Sequence, residues 1–474
     1  MSNALPLPCP HAEAQGQADC PDKRGTLIAC VIGSSLAFVL GSIVNVALPQ
    51  MQDAFETGPT GAQWIVNAYL LPLGALVLMG GALGDHYGRK LIFQIGLVIF
   101  TLSCALCAVA WNFPVLMAAR ALEGVGAALI APTSLAIIAD AFSGKERGRA
   151  VGTWAGAGAA AGALAPVAGG WIVDVLGWRW AFVSVIPFAL LAFLIAARAV
   201  RESKADRGER APLDWLGAGL VSLGLLALIW GLVALPERGA TGAVLLGLLG
   251  GAALLGAFVW VEARKGDRAM TPLRLFGDIS FSGLSLFTFA LYAALGGLMF
   301  LLPYVLIQDL GYSSTAAGAA ILPFPLILGV LSRFTGGALS DKFGARMLLT
   351  AGASLVALGF FLFSRVPSED VSYTSDILPA LIVMALGMSL AVAPLTSAVL
   401  ASAGDRYSGV ASGINNAISR IGGLVATAML GLVLVGSADD LMAGFALAAL
   451  AGAILAALSA VAAAMMVRPA TVEA

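Results

Sequence analysis

The stretch GALGDHYGRK, at residues 81–90, places four ionisable side chains within ten residues. The chain around it is 59% hydrophobic and only 11% charged. A similar stretch, GALSDKFGAR, occupies residues 337–346, so that Asp341 follows Asp85 by 256 positions. The same offset carries the dipeptide Gln-Asp of the 52–53 segment onto a second Gln-Asp. A duplication held over two separate segments predicts that the chain consists of two related halves.

The composition indicates a membrane protein. Charged residues make up about a quarter of soluble proteins, whereas the mean hydropathy of this chain is +0.93. A helix needs ~20 apolar residues to cross a bilayer, and runs of that length recur along the sequence. The fourteen runs are 26–48, 61–83, 92–111, 115–139, 150–172, 180–198, 214–235, 242–262, 280–306, 315–340, 346–365, 377–401, 409–436 and 441–467. They predict an all-α integral membrane protein with fourteen transmembrane helices.

The offset of the repeat spans eight predicted helices, so two helices must lie between two six-helix halves. Those two, at about 214–262, have no counterpart of the repeated stretch, which predicts an inserted hairpin. The polar amino-terminal residues predict a disordered tail rather than a cleaved signal peptide. The predicted domains are a cytoplasmic tail at 1–25, a six-helix bundle at 26–198, a basic loop with the hairpin and a linker at 199–279, a second six-helix bundle at 280–467, and a cytoplasmic tail at 468–474.

The distribution of basic residues predicts the orientation. If the amino terminus is cytoplasmic, twenty of the 26 Lys and Arg residues fall on that side, and three, Arg179, Arg238 and Arg365, fall outside. Cytoplasmic loops of membrane proteins carry such an excess. We therefore predict that both termini are cytoplasmic and that the chain lies in a plasma (inner) membrane. The net charge of −1 offers no basic surface for a nucleic acid.

A contact that forms and breaks can explain the charges of residues 81–90. Asp85 stands at the end of the second predicted helix, where the helix dipole disfavours a carboxylate. Arg89 lies four residues on and can pair with it bidentately. A simple positive-inside turn would require basic residues but neither the duplicated acid nor the glycines. We interpret the loop and its copy as a conformational lock between rocking halves. The predicted lock residues are Gly81, Asp85, Gly88, Arg89, Lys90, Asp341, Gly344 and Arg346.

Polar side chains inside the predicted spans are the other candidates, because a charge at the bilayer centre costs ~2.5–3.5 kcal/mol on insertion scales. Arg120 and Glu123 are three residues apart on one face of the fourth predicted helix and can pair. The pair either titrates during function or is a permanent ion pair that only holds the helix in place. Arg420 lies deep in the thirteenth predicted helix and must face protein or a water-filled cavity. The predicted substrate cavity comprises Asn45, Asn67, Tyr292, Tyr304, Gln308, Asn416 and Arg420.

Sequence motifs for other functions are absent. The chain has neither a Walker GxxxxGK[ST] nor an HExxH motif, and it contains only two histidines. Cys9, His11 and Cys20 do not match a tight zinc spacing. Cys104 and Cys107 fit two small residues at a helix contact better than a redox pair. We therefore expect no metal, no cofactor and no enzymatic activity, and an integral membrane enzyme or sensor is the remote alternative.

The two repeated loops, at 81–90 and 337–346, resemble the cytoplasmic signature loop of the major facilitator superfamily and its second copy. Together with fourteen predicted helices, they make residues 26–467 resemble the fourteen-helix drug:proton antiporter branch. The segment LMAARALEGVGAA at 116–128 is similar to the fourth-helix motif of these exporters. The segment GALAPVAGG at 162–170 is similar to the fifth-helix antiporter motif.

The fifth-helix segment also predicts a hinge. Small residues recur every four positions, so they share one face of the helix and allow close packing beside a proline bend. The predicted hinge residues are Gly158, Gly162, Pro166, Gly169 and Gly170.

The resemblance implies a secondary transporter that exports lipophilic drug-like or antiseptic molecules by alternating access in exchange for protons, and we expect it to act as a monomer. The first-helix segment LGSIVNVALP begins with Leu40, where the branch typically has an Asp that is implied to handle protons. Glu123 lies at about the depth of Leu40, so we expect Glu123 with Arg120 to carry the proton coupling. The missing acid also favours a second hypothesis, a lipid or metabolite exporter that is not strictly proton-coupled.

Overall fold

The computed structural model describes residues 22–205, 213–266, 269, 271–334, 339–404, 407–436 and 440–468. These described residues contain sixteen α-helices and no β-strand, which confirms the predicted all-α class. The helices are α1 (Lys23–Phe55), α2 (Pro59–Tyr87), α3 (Arg89–Ala108), α4 (Phe113–Ala141), α5 (Gly144–Leu176), α6 (Arg179–Val183), α7 (Ile186–Ala199), α8 (Trp215–Arg238), α9 (Gly242–Lys265), α10 (Ile279–Gln308), α11 (Ser314–Ile321), α12 (Pro323–Phe334), α13 (Ser340–Phe363), α14 (Leu378–Ala403), α15 (Ser408–Gly436) and α16 (Leu441–Met466).

Thirteen helical segments within the described ranges are long and apolar enough to cross a membrane. Two of them are broken helices, since α6 with α7 and α11 with α12 each make one pass. Each second piece has a proline, Pro187 or Pro323, in its first turn, where a missing N–H is tolerated but the preceding helix cannot continue undisturbed. Helix α15, with 29 residues, is long enough to make a fourteenth pass. The chain is therefore a multi-pass membrane protein.

Several helices begin at a side chain that accepts a hydrogen bond from their first turn. Asp22 accepts one from Gly25 N at 2.8 Å, and Asn112 accepts one from Val115 N at 2.9 Å. Such residues satisfy N–H groups that have no partner inside the helix. The acids Asp214, Asp278 and Asp440 cap α8, α10 and α16 in the same way.

Two groups of helices pack as bundles, the first bundle from α1–α7 and the second bundle from α10–α16. The bundles meet where α2 packs on α15, α5 on α11, and α1 on α10. The repeat is visible in the backbone, because Gly88 and Gly344 both have a positive φ, 129° and 73°, where the chain turns from one pass to the next. This left-handed region is open to glycine without steric cost. We call the membrane face that carries residues 81–90 the motif face, and the other the opposite face.

Helices α8 and α9 form a hairpin between the bundles in sequence. At its base Lys265 Nζ lies 2.5 Å from Asp214 Oδ1. Helix α8 packs on α2 and on α15, so it contacts both bundles. Its buried side chains Leu225, Ile229 and Val233 form a hydrophobic cluster with side chains of α2 and α15. Helix α9 is far more exposed than α8.

We expect a protein that lacks residues 214–262, with a Gly-Ser linker in their place, to fold and to transport at a reduced rate. The apolar surface that α8 covers on α2 and α15 can be covered by lipid, because lipid tails are as apolar as the leucines they replace. The measurement is size-exclusion chromatography of the purified variant, followed by transport in proteoliposomes. Failure to recover any folded protein would show that the hairpin is an integral part of the bundle.

Candidate functional site

The loop at residues 81–90 contains the predicted ion pair. Asp85 Oδ1 accepts hydrogen bonds from Arg89 Nε at 3.1 Å and from Arg89 Nη2 at 3.0 Å. Arg89 Nη1 also lies 3.6 Å from Asp140 Oδ1 at the end of α4. The guanidinium thus joins the ends of α2 and α4 on the motif face, and the side chains of Asp85 and Arg89 remain about one-fifth exposed, at 23% and 18%.

The segment that follows α7 is hydrogen-bonded to the same loop, and the sequence analysis did not predict this contact. The Glu202 carboxylate accepts hydrogen bonds from the N–H groups of Lys90 and Leu91, each at 3.0 Å, and so caps α3. A Cβ on Gly88 would lie 2.5 Å from the Glu202 carboxyl carbon, so this contact requires glycine. Arg89 N donates to the Ser203 carbonyl at 2.9 Å. These partners lie in α2–α4 or in the segment that directly follows α7.

The second copy of the loop is described only in part. Gly344 adopts a positive φ like that of Gly88, and Arg346 is exposed. Gly337 and the side chain of Asp341 lie outside the described residues. A Cβ on Gly81 would lie 3.5 Å from the Pro132 Cβ of α4, which is an ordinary van der Waals distance.

Arg120 and Glu123 form a buried ion pair within α4. Arg120 Nη1 lies 2.8 Å from both Glu123 carboxylate oxygens, and the two side chains are 1% and 0% exposed. A charge pair without water depends on further hydrogen bonds to offset its desolvation. One of them is present, because Arg120 Nε donates to the Ile65 carbonyl of α2 at 3.0 Å.

Aromatic and sulfur groups from other helices complete the surroundings of this pair. The Arg120 guanidinium carbon lies 4.7 Å from the centre of the Tyr69 ring and 5.9 Å from that of Phe182. Cys107 Sγ lies 3.9 Å from Glu123 Oε2. The Tyr69 hydroxyl donates to the Ala37 carbonyl at 3.1 Å. Helices α1, α2, α3 and α6 therefore all contact the pair or its neighbours, and Leu40 is buried about one turn beyond Ala37.

The sequence analysis did not find Tyr69, Phe182 or Cys107 as neighbours of the ion pair. One signal was available, since Cys107 belongs to the CxxC of α3 that the analysis assigned to a helix contact. Both cysteines of that motif are buried and free. The sequence segment with Cys9, His11 and Cys20 lies outside the described residues, and no group of three metal-binding side chains occurs within them.

The predicted hinge residues of α5 face two different helices. Gly169 packs on Ile43 of α1, and a Cβ on Gly162 would lie 3.7 Å from Phe38. Pro166 and Gly170 instead face α11 of the second bundle. Steps of four residues exceed the 3.6 residues of a helical turn, so a row of this spacing drifts around the helix from one partner to the next.

A contact between bundles on the opposite face continues this row. Pro166 and Gly170 pack on the backbone of α11 at Gly318 and Ser314. Asp174, one turn further, accepts hydrogen bonds from Ser314 N at 2.9 Å and from Thr315 N at 2.8 Å and Oγ1 at 2.6 Å. A carboxylate is favoured at the N-terminus of α11 by its unpaired N–H groups and dipole. We call this contact the α5–α11 latch, formed by Pro166, Gly170, Asp174, Ser314, Thr315 and Gly318.

Helix α5 is exposed towards the motif face. No described atom lies within 4 Å of the position that a Cβ would take on Gly148, Gly152 or Gly156 there. Towards the opposite face, α5 instead contacts the second bundle at the latch.

The seven residues of the predicted cavity are not gathered in one wall. Arg420 is half-buried and Asn416 is exposed one turn from it on α15, and Tyr292 of α10 is half-buried. Asn67 of α2 is fully buried, and neither of its amide atoms has a hydrogen-bond partner within the described residues. The remaining three lie nearer the opposite face, where Asn45 Nδ2 donates to the Met299 carbonyl at 3.1 Å, Tyr304 is buried and Gln308 is exposed.

Comparison with solved structures shows the fold. The crystal structure of a D-xylose-proton symporter matches with a TM-score of 0.68 and 16% identity, covering 94% of this chain and 98% of that chain. A bacterial homologue of the human lysosomal transporter Spinster, in an inward-facing and unoccupied conformation, matches with a TM-score of 0.64 and 19% identity, covering 95% and 98%.

Comparison of sequences shows the family. The uncharacterized MFS-type transporter EfpA of Mycobacterium tuberculosis is 34% identical, over 84% of this chain and 74% of that protein. The multidrug resistance protein Stp of the same species is 33% identical, over 86% and 75%. The puromycin resistance protein pur8 of Streptomyces alboniger is 33% identical, over 91% and 85%. The Major Facilitator Superfamily model matches residues 30–427, and this chain, with its two bundles and repeated loops, belongs to that superfamily of transporters.

Proposed function

We propose that this protein exports drug-like lipophilic small molecules by alternating access, in exchange for protons. Relatives that are 31–33% identical to this chain include proteins named for multidrug, puromycin and methylenomycin A resistance. The observation that carries the proton coupling is the buried pair of Arg120 and Glu123. Among the described residues, Glu123 is the one acid in the middle of a membrane pass. An ionisable group at that depth is a functional candidate by default.

The proposed orientation places the motif face in the cytoplasm of a cell with a plasma (inner) membrane. Support comes from the excess of Lys and Arg on that face. Both termini would then be cytoplasmic, and the exposed stretch of α5 would border the entry by which the substrate is loaded from the cytoplasm. The proposed domain boundaries of the bundles, the hairpin and the tails are those predicted from the sequence. The protein would function as a monomer surrounded by lipid.

Proton coupling would use the position of α2. This helix supplies the Ile65 carbonyl and the Tyr69 ring to Arg120, and it also packs along α15 of the second bundle. When the bundles rock, the packing of α2 changes, and with it the access of water to Glu123. Protonation of Glu123 would weaken its bond to Arg120, so that the pair forms in one state of the cycle and loosens in another.

The alternative, export of a lipid or metabolite without strict proton coupling, is favoured by one observation. Leu40 is buried and apolar where the branch typically has an acid, and both Glu123 oxygens are already bound to Arg120. Efflux of ethidium, a cation, and of neutral and anionic dyes from proteoliposomes separates the two functions. A pH gradient should increase efflux at least severalfold under the main proposal, and equal rates with and without the gradient would favour the alternative.

The Asp85→Asn variant should transport at least about 5-fold more slowly than wild type, as expected for a lost coupling of ~1 kcal/mol or more between states. Its stability should change by less than about 1 kcal/mol, because the pair with Arg89 is partly exposed. Initial efflux rates and thermal unfolding measure the two quantities. Asp53→Asn, at an exposed residue of the opposite face, is the matched control. Wild-type transport by Asp85→Asn would exclude a lock at this loop.

A further inference from the structure

Arg420 is a cation in the middle of α15. It stands twelve residues after Ser408, which corresponds to a depth of roughly 18 Å at 1.5 Å per residue. A guanidinium at this depth is unfavourable unless it contacts protein, water or an anion. The side chain is half-buried, so part of it reaches a space that protein atoms do not fill.

No carboxylate of the described chain pairs with Arg420. Its Nε is buried and has no hydrogen-bond partner there. Glu123, which could have balanced the charge, already binds Arg120 through both oxygens. Among the described side chains in the middle of a pass, the charges of Arg120 and Glu123 therefore cancel, and that of Arg420 remains. The described residues in the middle of the passes therefore carry one net positive charge.

Helices α2 and α10 bring side chains near this charge, with Tyr69 on α2 and Tyr292 on α10. Asn416, one turn away on the same face of α15, is exposed. A Cβ on Gly74 would lie 3.5 Å from the Arg420 Cβ, so α2 passes close to its root.

The orientation of α15 at this point is fixed. Thr288 Oγ1 of α10 donates to Asn415 Oδ1 at 2.7 Å. Gly422 packs on the backbone of α10, where a Cβ would lie 2.6 Å from the Phe289 carbonyl oxygen. These contacts hold the flank of α15 that carries Asn415 and Gly422 against α10. Asn416 and Arg420 lie on a different flank, which remains accessible.

We infer that Arg420 is a subsite for the anionic group of the transported molecule, so that the protein prefers amphiphilic carboxylates to cations. This inference rests on the proposed export function and names its substrate class. A planar guanidinium binds a carboxylate through two parallel hydrogen bonds. The half-buried ring of Tyr292 supplies apolar surface for the rest of such a molecule. A cation would meet an unpaired like charge at the same depth, which costs affinity.

The test is binding of three matched fluorophores to the full-length protein in phosphatidylcholine nanodiscs. The probes are pyrenebutyrate, neutral pyrenebutanol and pyrenebutyl-trimethylammonium, which differ in charge but share the ring. Wild type should bind pyrenebutyrate at least about 10-fold more tightly than the cation, since hydrogen bonds between charged groups are the stronger ones. Arg420→Gln should weaken pyrenebutyrate about 10-fold and change pyrenebutanol less than about 2-fold. Arg420→Lys, which keeps the charge but not the planar guanidinium, should recover part of the lost affinity for pyrenebutyrate.

The matched control is Arg264→Gln, which removes one positive charge at the end of α9, where the guanidinium stacks on Trp260. It should bind all three probes like wild type. Equal weakening of all probes by Arg420→Gln would assign Arg420 a structural role and overturn the inference, as would unchanged binding of pyrenebutyrate. Displacement of pyrenebutyrate by added phosphatidylglycerol, at equal concentration, would assign the subsite to lipid head groups instead of an exported acid.

These experiments distinguish a failure of the anion subsite from a failure of the proposed export function. If wild type binds pyrenebutyrate through Arg420 but proteoliposomes do not export any of the probes, the anion subsite stands and the proposed function is wrong. If the probes are exported at rates that do not depend on Arg420 or on probe charge, the proposed function stands and the anion subsite is wrong.

Discussion

The Glu123→Gln variant is expected to lose all stimulation of efflux by a pH gradient and to be about 3–5 kcal/mol less stable than wild type, because a buried pair that loses one member leaves the other charge uncompensated. Arg120 is 1% exposed and would keep only the Ile65 carbonyl and part of the Gln side chain as partners. Glutamine retains a hydrogen-bond acceptor but cannot titrate. The measurements are gradient-dependent efflux in proteoliposomes and the free energy of unfolding in detergent.

A double variant separates coupling from structure. Arg120→Gln with Glu123→Gln removes both charges, so most of the lost stability should return, as in other buried pairs replaced together. Gradient stimulation should remain absent. Glu369→Gln, at an exposed acid outside the helices, is the control and should behave like wild type. If the double variant regains gradient-driven efflux, Glu123 is a structural partner of Arg120 and the proton follows another route.

The Gly170→Val variant is expected to shift the protein away from the conformation that is closed on the opposite face, by about 5–150-fold in population. A Cβ at this position would lie 2.5 Å from the Ser314 carbonyl carbon and 2.7 Å from Thr315 N, both of them backbone atoms of α11. Overpacking of this kind costs about 1–3 kcal/mol, and here the cost arises only while the α5–α11 latch is closed. The transport rate should fall as the population of the closed conformation falls, because alternating access requires both states.

The shift can be measured between the two bundles on the opposite face. Asp53 and Asp309 are exposed ends of α1 and α10 there, and spin labels on cysteines at these positions report the distance that opens. The background replaces Cys9 and Cys20 by Ser, and the described native cysteines are buried. Gly250→Val, on the exposed helix α9, is the matched control because no described atom lies within 4 Å of its Cβ position. An unchanged distance distribution in Gly170→Val would show that the latch does not hold this face closed.

Asp174→Asn should shift the same distance distribution in the same direction but by less. It weakens the hydrogen bonds from Ser314 and Thr315 without adding bulk. Neutralisation also removes the favourable interaction with the N-terminal end of α11, which is worth less than about 1 kcal/mol at an exposed position. The two variants therefore test the latch by different physical means.

The sequence by itself determined the membrane class, the helical passes and the internal repeat. Apolar length and charge content are local properties, and a helix satisfies its backbone within its own segment, so these features do not depend on distant contacts. The pair of Arg120 with Glu123 was predictable for the same reason, because residues three or four apart on one helix are neighbours. The pair of Asp85 with Arg89 was predictable from their closeness in sequence and opposite charges, although a turn at Gly88 separates their helices. The family was predictable from the two loops, since their residues resemble the signature loop of the superfamily and its second copy.

Only the tertiary structure decided which distant groups meet. Glu202 caps α3, Tyr69 covers Arg120, and Asp174 caps α11, yet each partner lies far away in sequence. Helical periodicity gives the face on which a side chain lies, but the neighbour that this face meets depends on the rotation of each helix and on how the bundles dock. For that reason the hinge row of α5 divided between α1 and α11, and the seven predicted cavity residues spread over several sites.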